Sequence, residues 1–356
     1  MPSAEAVQAI VNEFPDPETG RAVGQMEQVR LVEVEGDRIK VVLGLTSWAS
    51  PIRDEVLEDL RDRLVAELGV SAEDCWIEAA DHHRPADKLG QVGVTAKSVI
   101  AVGSGKGGVG KSTIAASIAS GLLQAGAKVG LMDADVYGPS VPHLMGVNER
   151  PTAVEQRLQP IERDGMKLMS MGFMVPPGEA VVWRGPMLHG AVTQMLRDTD
   201  WGDLDYLIID MPPGTGDIAL TLSQLLPLTG AVVVCTPQDV ALIDAVKAIA
   251  MFRKVKIPVL GVVENMSYFL CPDNGIRYDI FGNGGARRKA AELGVPFLGE
   301  APISIDVRKR GDDGQTLNNL QDEQIGQELA GIARETVRQV IATRAGAPAA
   351  PSLPVL

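Results

Sequence analysis

The sequence predicts an α/β protein: a small α/β domain followed by a larger, mostly parallel, doubly wound sheet. Two patterns predict it. In the first part, polar and apolar residues alternate around Val29–Val34 and Ile39–Leu43, as in strands with one buried face. In the second, apolar runs without alternation recur at Val99–Val102, Val129–Met132, Tyr206–Ile209, Ala231–Val234 and Val259–Val263. Helical patterns lie between them, and strands covered on both faces read as such continuous runs.

The small domain is expected over residues 1–80. Gly36-Asp37 supplies the turn between its first two strands. Ser50-Pro51 reads as an N-cap and a first-turn proline. Ile52, Val56, Leu60, Leu64 and Leu68 then recur every fourth residue, the apolar stripe of a helix that Gly69 is placed to stop. Residues 81–95 turn polar and contain Gly and Pro, as a linker does; His82 and His83 fall there without further metal ligands nearby. The large domain is expected over 96–343, its last helix over 324–342, and the Ala/Pro-rich tail 344–356 as disordered.

Composition narrows the function. With 45% hydrophobic and 22% charged residues the chain falls in the ordinary globular range. It has no apolar run of the ~20 residues that span a bilayer and no basic-then-apolar leader, so a cytoplasmic protein without a membrane partner is expected. Net charge is −13, and the densest basic stretches, Arg287-Arg288-Lys289 and Arg308-Lys309-Arg310, are short. A phosphate backbone requires a broader basic surface, so nucleic acid is not expected as a partner. The three cysteines, Cys75, Cys235 and Cys271, are too few and too scattered for a disulfide framework and suit a reducing compartment.

The segment with the clearest chemistry runs Ser104, Gly105, Lys106, Gly107, Gly108, Val109, Gly110, Lys111, Ser112, Thr113. It satisfies G-x-x-x-x-G-K-[ST] between an apolar strand, Ser98–Val102, and a helix, Ile114–Leu123. Glycines let backbone N–H groups close on phosphate oxygens, and the helix N-terminus adds partial positive charge. Lys111 is expected to reach the β- and γ-phosphates and the Ser112 hydroxyl to complete a Mg²⁺ shell. Two acids end strands that face the same crevice: Asp135, just past Leu131-Met132-Asp133, and Asp210, after Leu207-Ile208-Ile209.

These residues resemble a known group. A lysine directly after the first glycine, here Lys106, marks the deviant Walker P-loop NTPases. Asp133-Ala134-Asp135-Val136-Tyr137-Gly138-Pro139-Ser140, Trp183-Arg184-Gly185-Pro186-Met187, Asp210-Met211-Pro212-Pro213-Gly214-Thr215-Gly216-Asp217 and Glu264-Asn265-Met266-Ser267 together look like the Mrp/ApbC iron–sulfur cluster carriers. Asp16-Pro17-Glu18 opens a leading unit similar to the iron–sulfur assembly domain that accompanies them. The resemblance implies an ATP-hydrolysing homodimer that holds a bridging [4Fe–4S] cluster and passes it to apoproteins, working with assembly scaffold proteins. It implies that Lys106 reaches the partner's nucleotide, that Asp135 positions water and metal, that Asp210 holds Mg²⁺ through a water, and that Asn265 contacts adenine. Lys106, Lys111, Asp135 and Asp210 are then the catalytic set.

The chain departs from that family at the thiols. Where a CxxC pair follows Tyr268-Phe269-Leu270, the chain has Cys271-Pro272-Asp273-Asn274, and Ser50 stands where the small domain often has cysteine. A bridging four-iron cluster normally takes four thiolates, and Cys271 supplies two per dimer. Two readings stay open: Cys271 helps hold a labile or differently ligated cluster, or the chain kept the nucleotide site and lost cluster binding. Other deviant Walker roles fit less well. A MinD- or ParA-like positioning ATPase requires a membrane-binding amphipathic helix or a basic surface, and an electron-transfer iron protein requires paired cysteines.

Overall fold

The computed structural model describes residues 2–174, 185–214, 216–323 and 325–345. The chain divides into two compact units, Met1–His83 with Val337–Leu356, and Arg84–Thr336. The motif residues Trp183, Arg184 and Thr215 and the tail from 346 lie outside the described residues.

In the first unit, helix α1 (Ala4–Asn12) starts at Ser3, whose hydroxyl accepts the Ala6 N–H at 3.2 Å. Strands β1 (Val29–Glu35) and β2 (Arg38–Leu45) pair antiparallel around Gly36, whose φ of +67° suits a residue without Cβ. Helix α2 (Arg53–Leu68) then crosses to β3 (Cys75–Asp81), which lies parallel to β2. Val7, Val11, Val56, Leu60 and Leu64 are buried, as are Ile39, Val41, Leu43 and Ile77 of the sheet. Gly69 caps α2 in the left-handed region, as its position implies. The start of α2 differs from expectation. Ser47–Ile52 forms a 3₁₀ turn containing Pro51, and Ser50 caps nothing. Trp48, Ala49, Pro51 and Ile52 are all buried, so packing holds this segment in its own turn before the α-helix begins.

The second unit adds β4 (Lys88–Leu89), β5 (Val94–Gly103), α3 (Lys111–Gln124), β6 (Val129–Asp133) and the short α4 (Val141–Leu144). A small hairpin, β7 (Thr152–Val154) and β8 (Arg157–Gln159), precedes β9 (Ile161–Arg163) and β10 (Met166–Ser170). There follow α5 (Gly185–Arg197), β11 (Leu204–Asp210), α6 (Gly216–Leu225), β12 (Gly230–Cys235) and α7 (Asp239–Lys254). The remainder comprises β13 (Val259–Leu270), β14 (Arg277–Tyr278), α8 (Gly285–Leu293), β15 (Phe297–Ile303), α9 (Ile305–Asp312) and, up to Thr336, the first part of α10 (Gly326–Ala345). The parallel sheet runs β15-β13-β12-β5-β11-β6-β10, with β9, β14 and β4 antiparallel at its margins. β10 and β15 were not expected, because Lys167 and Ser170 in one and Gly299, Glu300 and Pro302 in the other interrupt their apolar runs.

Topology places the site. From β5 the chain crosses to β6 on one side, while β12, on the other side, is β5's neighbour there. The strand order therefore reverses at β5, and the crevice beyond its C-terminal end is where such sheets bind ligands. The helices pack tightly behind. A Cβ at Gly121 of α3 would lie 2.7 Å from Ala333 of α10, and one at Gly103 would lie 2.8 Å from buried Phe252 of α7. No described helix is long and apolar enough to cross a membrane.

Candidate functional site

The loop from β5 to α3 is a bare cradle of amides. Gly108 and Gly110 both have φ of +79°, which turns successive N–H groups inward at the start of α3. Among the described residues, none of the N–H groups from Gly105 to Thr113 donates to a protein acceptor. The loop's carbonyls, by contrast, are engaged. Gly214 N–H donates to Ser104 O at 2.8 Å, Ser104 Oγ–H to Lys106 O at 2.9 Å, and Asn265 Nδ2–H to Val109 O at 2.8 Å. Carbonyls held outward and amides left inward make an anion site.

Glycine is required where neighbours press closest. A Cβ on Gly105 would sit 2.1 Å from the Asp244 carbonyl oxygen of α7, and one on Gly110 2.1 Å from Asn265 Nδ2. Asn265 therefore braces the loop directly, a contact that the resemblance did not imply.

Beneath the amides the strand ends present a row of polar side chains in register. Asp210 of β11 lies beside Val102 of β5 and Asp133 of β6, and Asp133 lies beside Ser170 of β10. Lys111 Nζ is 2.5 Å from Asp210 Oδ1, 3.2 Å from Ser112 Oγ and 3.7 Å from Asp135 Oδ2. Lys111, Ser112, Asp135 and Asp210, four of the residues expected at the site, thus converge. Asp133 and Asp210 are 0% exposed, Lys111 6% and Asp135 7%.

Three buried carboxylates share one buried lysine, so the cluster holds more negative charge than it balances. Burial, joined by the charge of Asp210, pushes Asp133 up to about 7. Burial raises Asp210 as well, against the pull of Lys111. Asp210 Oδ2 is buried and has no hydrogen-bond partner among the described residues. A spare carboxylate oxygen in an electronegative pocket, beside the Ser112 hydroxyl, suits a small hard cation such as Mg²⁺. Lys106 is half-buried and forms no ion pair among the described residues.

The cysteines are not brought together. Cys235 is buried in β12 and its thiol is pushed up to about 12 by burial; burial raises Cys75 too. Cys271 is half-buried just past the end of β13, the strand that also carries Asn265. It opens a turn in which Gly275 N–H donates to Cys271 O at 2.8 Å and Cys271 N–H to Ile276 O at 3.0 Å. No group of three His, Cys, Asp or Glu side chains among the described residues is arranged to hold a metal ion.

Residues 95–337 match the family model described as NUBPL iron-transfer P-loop NTPase, and residues 4–73 match that of an iron–sulfur cluster assembly protein. The chain belongs to the NUBPL iron-transfer P-loop NTPase family. A Deinococcus radiodurans protein named iron–sulfur cluster carrier protein is 48% identical, over 91% of this chain and 92% of its own. An Escherichia coli K12 protein of the same name is 49% identical, over 72% of this chain and 71% of its own. Among solved structures, a nucleotide-binding protein in complex with ADP from Archaeoglobus fulgidus is 41% identical, with a TM-score of 0.56 over 62% of this chain and 88% of that one. The Pyrococcus furiosus cell-division ATPase MinD, 20% identical with a TM-score of 0.51 over 67% of this chain and 97% of its own, shares the fold.

Asp133 and Ser170 are members of this buried cluster that sequence reasoning missed. Asp133 stood in a quoted motif without a role, and only strand register brings Ser170 to it.

Proposed function

We propose that the chain binds Mg²⁺ and ATP at the loop Ser104–Thr113, hydrolyses the nucleotide as a homodimer, and carries an iron–sulfur cluster to apoproteins. The observation that carries the nucleotide reading is the cradle of unpartnered amides over a buried lysine. Relatives support the rest: a cluster carrier at 48% identity over nearly the whole chain, and a structural neighbour holding ADP.

In this reading the amides of Gly105–Thr113 bind the phosphate oxygens, at little reorganisation because the glycine turns already aim them. Lys111 exchanges Asp210 for the β- and γ-phosphates, which frees both carboxylate oxygens of Asp210. Ser112 Oγ and Asp210, the latter through a water, would hold Mg²⁺. That cation supplies charge neutralisation at the phosphates. Asp135, its Oδ1 occupied by the N–H groups of Tyr137 (3.1 Å) and Gly138 (3.2 Å), keeps Oδ2 on the lysine side, where it orients the attacking water. Lys106, without an ion pair of its own among the described residues, neutralises charge on the partner's nucleotide. Val240 and Ile243 of α7, beside Asp244 at the loop, are 66% and 57% exposed and offer apolar surface for the second subunit.

Cys271 is the thiol that each subunit contributes to the cargo, since Cys75 and Cys235 are buried and poorly ionised. Anaerobic reconstitution with iron and sulfide tests this. Wild type is expected to gain cluster absorption that Cys271→Ala lacks. Equal absorption in both, or none in either, removes Cys271 from the cargo site. In the second case the chain is an NTPase that has lost the cluster. Titration calorimetry with ATP and Mg²⁺ tests the nucleotide half, with Lys111→Ala expected to lose the heat of binding.

A further inference from the structure

We propose that Asp133, with Ser170, is the positioning residue that sets Asp135 for nucleotide hydrolysis; this rests on the hydrolytic reading of the same site. Asp133 ends β6, and the chain then loops through Ala134–Ser140 before α4. One carboxylate clamps both ends of that loop. Its Oδ1 accepts the Asp135 N–H at 3.0 Å, and its Oδ2 accepts the Val141 N–H at 3.1 Å. Ser170 Oγ–H donates to the same Oδ2 at 3.0 Å, from the neighbouring strand β10. Three donors on three separate stretches of chain therefore meet on one fully buried side chain.

The clamp acts on the orientation of Asp135. With its own N–H fixed to Asp133, Asp135 turns Oδ1 back onto the loop amides of Tyr137 and Gly138, and only Oδ2 is left to face Lys111 at 3.7 Å. The backbone of the loop is tied down elsewhere as well. Ala134 N–H donates to Asp210 O at 2.8 Å, and Gly172 packs so near Pro139 that a Cβ there would come within 3.2 Å. Gly172 is itself bound to the clamp, donating its N–H to Ser170 Oγ at 3.0 Å. Asp133 and Ser170 thus link the loop carrying Asp135 to the segment after β10, while none of these bonds involves the amide cradle.

That separation defines the test. In Asp133→Asn a single carbonyl oxygen replaces two acceptors, and the new NH₂ faces either the Asp135 N–H or the Val141 N–H and Ser170 hydroxyl. Ser170→Ala removes one donor and leaves both loop bonds. The inference expects kcat for ATP to fall roughly tenfold or more in Asp133→Asn, and less in Ser170→Ala, while nucleotide Kd stays within about twofold in both. It also expects chymotrypsin to cut after Tyr137, which is 71% exposed, at least about threefold faster in Asp133→Asn as the loop loses its clamp. Unchanged kcat in both variants overturns it. So does a Kd that weakens in step with kcat, because the side chains then serve the cradle or the fold at large. A wild-type protein without turnover removes the hydrolytic reading and this one with it, whereas an active wild type matched by Asp133→Asn removes this one alone.

Discussion

The site is built from groups whose ordinary preferences have been overruled. Lys111, Asp133 and Asp210 would each be solvated on a surface; here they are buried, and each survives on specific partners. Asp210→Ala removes the carboxylate that Lys111 and the cation would share and is expected to abolish turnover, read by a phosphate-release assay. The glycines obey a different constraint. Gly105→Ala places a methyl 2.1 Å from the Asp244 carbonyl, and overpacking of this kind costs about 1–3 kcal/mol. Weakened ATP binding in that variant, measured by calorimetry, is the expected outcome; wild-type affinity refutes the contact as a constraint. The thiols make a third residue-scale case. With Cys235 pushed up to about 12 and Cys75 also raised, little thiolate forms at either near neutral pH, whereas Cys271 is half-buried on a turn. Native protein is expected to take up one equivalent of maleimide at pH 7.5, and Cys271→Ser almost none.

At the scale of elements, hydrogen bonds tie the loop Ser104–Thr113 to two separate segments. Gly214, after β11, and Asn265, on β13, both bond loop carbonyls, so the loop is supported from both sides of β5. Helix α7 combines two faces. Ala241, Leu242, Ala245, Ala248, Ile249 and Phe252 are buried, and Val240 and Ile243 are outside. Val240 and Ile243 lie one turn apart on the exposed face of α7, next to the residue that touches Gly105, and so offer apolar surface beside the loop. Ile243→Glu is expected to abolish ATP-dependent dimer formation in sedimentation velocity while leaving the monomer's ATP affinity within about twofold, because the substituted side chain points away from the core. A dimer that forms as before excludes this face.

For the whole molecule, binding to the native state alone raises stability by mass action. ATP with Mg²⁺ at about one hundred times Kd is expected to add about 2.7 kcal/mol, seen as an upward shift in melting temperature that Lys111→Ala lacks. The two units carry separate family matches, residues 4–73 and 95–337, yet the second unit's match reaches the point where α10 passes into the first unit at Val337.

Much of the candidate site was legible because its signals are local. A glycine-rich turn between a strand and a helix has a spacing set by backbone geometry, and acids that end apolar runs sit at a sheet edge whatever the fold's details. The parallel sheet was legible for the same reason, since burial on both faces writes itself into five apolar runs. What sequence could not supply depends on which strands lie side by side. Register brings Asp133 to Asp210 and Ser170, while the packing of β13 and α7 against the loop makes Asn265 its brace and sets Gly105 against Asp244. The turn at Ser47–Ile52 was misread because the burial of Trp48 outweighs a local capping pattern. Local chemistry is encoded by neighbours along the chain; the balance of charge in the crevice, and which carboxylate oxygen is left without a partner, is decided only when distant strand ends share one low-dielectric space.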